Sequence, residues 1–112
     1  MCRLDPWPDD LKDSLNNLNL EIYKTMWGPS EFTMTGNLKD FNRVNDLRNL
    51  KMPVLITCGR FDEATPQTLK KVSQKIPNGQ LVIFEKSAHL PHLEEPGRYL
   101  QTLRDFLWSV EK

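Results

Sequence analysis

Apolar and polar positions along the chain fall into distinct patterns, and each predicts a different kind of element. Leu11, Leu15, Leu18, Ile22 and Met26 recur at three- and four-residue spacing, the mark of one apolar helix face. Pro8 followed by Asp9 and Asp10 suits a helix start, because proline is tolerated in the first turn and acids complement the dipole. Asn16, Asn17 and Asn19 are poor helix-interior residues, so two short helices with a break are expected. Trp27-Gly-Pro29 ends the second one. Residues 30–42 show no clean period. Gly36-Asn37 marks a turn there, and Phe32 and Phe41 imply that the stretch packs against something. Val44, Leu47 and Leu50, three apart, predict a short helix that delivers the chain into a strand.

The pattern then changes. Val54-Leu-Ile and Leu81-Val-Ile-Phe84 are continuous apolar runs rather than alternating ones, as in strands buried on both faces of a parallel sheet. Strands are expected over 53–58 and 80–85. Between them Thr65 is placed to cap a helix with Pro66 in its first position, Leu69, Val72 and Ile76 form the buried stripe, and Pro77-Asn-Gly79 ends it. This is a βαβ unit of short connections, which leads the crossover to be right-handed. From Glu95-Pro96 onward, Tyr99, Leu100, Leu103, Phe106, Leu107 and Val110 predict an amphipathic helix packed on the sheet. The fold class is therefore α/β, with residues 1–50 and 51–112 as its two parts. Two doubly buried parallel strands leave both sheet edges open and need cover on both faces. No further convincing strand is present in the sequence, so the remaining ones must come from another part of the protein or from a partner. The sequence looks cut.

Composition adds exclusions. Fifteen basic residues balance fifteen acidic ones, which removes the electrostatic footprint of a nucleic-acid binder. No apolar run approaches the ~20 residues of a membrane span, and the first residues have no apolar core of a secretory signal. Cys2 and Cys58 read as reduced thiols, the state expected in the cytoplasm, and neither belongs to a zinc-like pair.

The two strand ends carry the candidate chemistry. Asp62 stands just past the first and His89 just past the second, and carboxyl ends of parallel strands are where ligands bind. A carboxylate there would accept the histidine Nδ1–H and leave Nε2 free to take a proton from a nucleophile. Taken singly, Asp62 reads equally well as a turn or capping acid, and His89 as a surface imidazole; as a pair on consecutive strand ends they read as two thirds of a hydrolase triad. Acid before histidine also agrees with the order in α/β-hydrolases. His92 makes a superficial metal pair with His89, but no further ligand follows at metal-site spacing, so no metal or cofactor is expected. His92 is expected to satisfy backbone groups near the last helix. The nucleophile is missing: none of Ser14, Ser30, Ser73, Ser87 and Ser109 lies in the Gly-x-Ser-x-Gly that a nucleophile elbow requires.

Trp27-Gly-Pro-Ser-Glu-Phe32, Cys58-Gly-Arg-Phe-Asp-Glu-Ala-Thr-Pro66 and Ser87-Ala-His-Leu-Pro-His-Leu-Glu-Glu-Pro96 resemble the proline iminopeptidases (prolyl aminopeptidases) of the α/β-hydrolase fold. The likeness runs from about Cys2 to Leu107. It implies the C-terminal part of such an enzyme: the end of the helical cap plus the last two parallel strands and flanking helices. The resemblance further implies Asp62 as triad acid, His89 as triad base, and Glu31 and Glu63 as the carboxylates that bind the free amino terminus of a peptide substrate. Trp27 and Phe32 would either enclose an apolar first residue or pack the cap. The expected partners are such a peptide and the missing N-terminal hydrolase part, or a second copy of the chain, with no nucleic acid and no membrane.

Overall fold

The computed structural model describes residues 1–111, which divide into two compact units, Pro6–Arg43 and Met1–Asp5 with the chain from Val44 onward. In the first unit, helix α1 (Asp9–Asn16) and helix α2 (Leu20–Met26) are separate, as the asparagines predict. Asn19 caps α2, its side-chain oxygen accepting from the Ile22 N–H at 3.1 Å. The chain then doubles back onto the end of α2, where the Gly36 and Leu38 N–H groups each donate at 2.8 Å to the carbonyls of Trp27 and Met26. Gly28 makes the reversal possible with φ of 133°, a conformation that side-chain-bearing residues rarely adopt. The expected apolar face is covered at one end only: Leu11 is buried, whereas Leu18, Ile22 and Met26 are exposed. Phe32 and Phe41 are exposed as well, contrary to the packing expected of them.

In the second unit a 3-10 turn (Val44–Asn49) leads into strand β1 (Val54–Gly59). Helix α3 (Pro66–Gln74) crosses to strand β2 (Gly79–Phe84), and a single turn, α4 (Pro91–Glu94), precedes the long helix α5 (Pro96–Val110). The strands pair in parallel with Val54 opposite Gly79 and Gly59 opposite Phe84, so their carboxyl ends finish level. Thr65 caps α3 as expected, accepting from the Thr68 N–H at 3.3 Å. The core of this unit is small: Cys58, Phe84 and Ala88 are buried at the carboxyl ends of the strands, and Ile76 between α3 and β2. Most strand residues are only half-buried, which departs from the double burial predicted for them. The reason is that the sheet has two strands among the described residues and only part of its surface is covered. α5 likewise leaves Leu100, Leu107 and Trp108 exposed. No helix of the described residues is long and apolar enough to cross a membrane.

Candidate active site

The site is built where β1 and β2 end. Beyond the last register pair the ladder continues by one bond, Arg60 N–H to the Phe84 carbonyl at 2.9 Å, and the Phe61 N–H then reaches the Ser87 carbonyl at 3.1 Å. The turn after one strand is thereby sewn to the turn after the other. Gly59 permits this close approach: a Cβ there would lie 2.1 Å from the Ala88 carbonyl oxygen and 2.2 Å from that of Ser87. A bidentate ion pair from Arg60 to Glu85, at 2.7 and 2.8 Å, ties the same two turns from the solvent side. It raises the guanidinium pKa and lowers that of the Glu85 carboxyl, in each case chiefly through the hydrogen bond.

This frame brings Asp62 and His89 together. His89 Nδ1 lies 3.1 Å from Asp62 Oδ1. The same oxygen accepts from the Ala64 N–H at 3.1 Å, which fixes the carboxylate to its own turn. The Asp62 side chain is only 7% exposed and that of His89 52%, so the acid is sheltered while the imidazole is half exposed. That is the disposition needed for a base held by a carboxylate and open toward a reactant. Cys58, buried near the end of β1, is held in the thiol form: burial pushes its pKa up, and the nearby Asp62 charge adds to the effect.

Glu63 joins this pair. One ligand atom each from Asp62, Glu63 and His89 lie within 4.8 Å of one another, a spacing a cation could bridge. Exposed acids cluster in this way without an ion, and Asp62 is already engaged by Ala64 and His89. The Glu63 side chain is about half exposed. Glu31 is exposed in the turn Ser30–Thr33 of the other unit, so it is not part of the cluster within this one. Of the aromatics beside it, Trp27 is half-buried and Phe32 is 80% exposed. His92, expected to satisfy backbone groups, packs its ring 5.9 Å from that of Tyr99.

The sequence reading passed over Glu94 and Glu95. Glu94 accepts from the Ala88 and Leu90 N–H groups at 3.0 Å each, and Glu95 from the Lys86 N–H at 3.1 Å and the Ser87 hydroxyl. Both carboxylates face the loop that carries His89. Their only sequence signal is two adjacent acids before Pro96, which reads as a helix start. A groove of about 360 Å³ between the sheet and α5, lined by Leu55, Val82 and Phe106 among others, includes no residue of either turn.

A carboxylate and an imidazole paired at level strand ends can move a proton to and from a neighbouring nucleophile. The family model for the alpha/beta hydrolase fold matches residues 3–96, and the chain belongs to that family. Within it, the chain is similar to the proline iminopeptidase of Heyndrickxia coagulans, 48% identical over 109 residues, which are 96% of this chain and 38% of that enzyme. Among solved structures it superposes on the proline iminopeptidase of Mycobacterium smegmatis with a TM-score of 0.88 at 35% identity, covering 97% of this chain and 37% of that one. It also superposes on VinJ with a TM-score of 0.90 at 37% identity, covering 98% and 38%. The chain thus spans under two fifths of the length of the relatives it matches.

Proposed function

We propose that this chain is the C-terminal part of a cofactor-free serine aminopeptidase that releases proline or a similar residue from the free amino end of peptides. The observation that carries the reading is the 3.1 Å contact between His89 Nδ1 and the sheltered Asp62 carboxylate at the ends of neighbouring parallel strands. Similarity to proline iminopeptidases over nearly the whole chain supports the substrate class. The nucleophile belongs to a Gly-x-Ser-x-Gly elbow outside these residues. Its hydroxyl attacks the first peptide carbonyl while His89 Nε2 takes the proton. His89 returns that proton to the departing amine, and water then cleaves the acyl-enzyme by the same route. Asp62 holds the imidazole in the Nδ1–H tautomer and stabilises its cation.

Glu63 and Glu31 bind the substrate's terminal ammonium. A desolvated ammonium needs anionic partners, and N-acylation would leave both carboxylates without one. The free thiols Cys2 and Cys58 support a reducing, cytoplasmic setting. By itself the chain lacks both nucleophile and oxyanion hole and is expected to show no turnover; the missing hydrolase part, or a second copy, completes the sheet.

A chimaera tests the reading: this chain joined to the part of the Heyndrickxia coagulans enzyme outside the matched segment. It is expected to hydrolyse proline p-nitroanilide and to reject the N-acetylated form. Glu63→Ala and Glu31→Ala are each expected to cost about 2 kcal/mol of discrimination, roughly thirtyfold, as for loss of a charged hydrogen bond. A folded chimaera that treats free and acetylated substrates alike would make this an amidase or esterase instead.

A further inference from the structure

We propose that Glu94 is a positioning residue for His89, acting through the main chain of the loop that carries the imidazole. This rests on the reading of His89 as the base. The imidazole is half exposed, so little side-chain packing holds it. Apart from Asp62, what fixes its place is the backbone from Lys86 to Leu90, which main-chain bonds hold at Ser87 and carboxylates hold on either side of His89. Glu94 lies at the end of α4 and turns back toward the loop. Its Oε2 accepts from the Ala88 N–H and the Leu90 N–H, both at 3.0 Å, one on each side of His89. Its Oε1 accepts from the Ala88 N–H at 3.2 Å and from the Arg3 N–H. The His89 N–H itself goes to the Met1 carbonyl at 2.8 Å. Glu95 continues the pattern upstream at Lys86 and Ser87.

Amides two residues apart that point to one side form a concavity suited to an anion. A carboxylate there makes charge-assisted bonds, about twice as strong as neutral ones. Because the two amides bracket His89, losing their shared acceptor frees the Cα of His89 to shift. An error of about 1 Å at a catalytic group is enough to cost roughly a hundredfold. Glu94 touches neither substrate nor the reacting atoms in this scheme.

The test is long-range ¹H–¹⁵N NMR of the His89 ring in the full chain, with the His92 ring as internal reference and the β1 and β2 amides reporting the fold. The unaltered chain is expected to show Nδ1 protonated and bonded, with Nε2 bare. In Glu94→Ala, with the β1 and β2 amides unmoved, the His89 Nδ1–H is expected to exchange with solvent at least tenfold faster and the other tautomer to appear. Glu94→Gln keeps an acceptor oxygen in place and is expected to restore most of the original signature. Should the alanine variant not fold, Glu94→Asp withdraws the carboxylate by one methylene and is expected to loosen His89 where Glu94→Gln does not. Unchanged tautomer and exchange in a folded Glu94→Ala, or equal behaviour of the Asp and Gln variants, would overturn the proposal. A bare Nδ1 in the unaltered chain would instead overturn the reading of His89 as a base held by Asp62.

Discussion

Gly59 is the residue on which the approach of the two turns depends. A Cβ placed there would sit 2.1 Å from backbone oxygen, which no side-chain rotation relieves. Gly59→Ala is therefore expected to destabilise the fold by about 1–3 kcal/mol, as overpacking does, and to part Asp62 from His89. Urea unfolding measures the first effect and the His89 ring signal the second; an unchanged midpoint would contradict the close-approach account. Cys58 offers a check on burial. With its pKa pushed up by desolvation, the thiol should resist alkylation at pH 8 while the more accessible Cys2 reacts. The sign for stability follows: the folded state holds the Cys58 proton more tightly than the unfolded one. This contribution is complete below the ordinary thiol value of 9.0 and is lost as pH rises beyond it.

At this scale Asp62 and His89 were legible, because strand ends can be located from apolar runs and their neighbours then counted. Glu94 and Glu95 were not. Their partners are main-chain N–H groups, which every residue carries and no pattern of side chains marks.

Elements were legible where length and capping chemistry agreed. The βαβ unit emerged with strand limits shifted by one residue, since Pro53 has no N–H for the ladder and Gly79 can join it. Thr65→Ala should cost α3 about 1 kcal/mol, the usual worth of an N-cap, read as a lower denaturation midpoint with unchanged slope. The single turn α4 went unseen because four residues between Pro91 and Pro96 are too few to show a period. Arg60 and Glu85 link β1 to β2 beyond their ends, and here the pH sign is opposite to that of Cys58. The Glu85 pKa is lowered by Arg60, so its stabilisation is present above about 4.5 and lost as pH falls through the folded value. Both side chains are exposed, so the effect is small. The difference in thermal midpoint between the unaltered chain and Glu85→Gln should narrow on acidification below pH 4.5; a difference that stayed constant would show that the pair contributes through packing alone.

At the scale of the whole molecule, the second unit has a sheet of two parallel strands among the described residues and leaves Leu100 and Leu107 exposed, which describes a face awaiting cover. The sequence already showed this imbalance, with two doubly apolar strands and no third. What it could not show was how far the strands would remain half-exposed, since that depends on neighbours outside these residues. The purified chain should accordingly scatter light as more than its 13.1 kDa mass; a monomer would contradict the incompleteness inferred from the sheet.

The most direct test of the paired carboxylate and imidazole is the turnover of the chimaera with Asp62→Asn, its fold verified by circular dichroism. If Asp62 orients His89 as the catalytic base, kcat for proline p-nitroanilide falls by about 10⁴-fold, the scale seen when a triad acid is made neutral. A fall of less than tenfold in a folded Asp62→Asn chimaera would mean that the 3.1 Å contact is structural and that the base lies elsewhere.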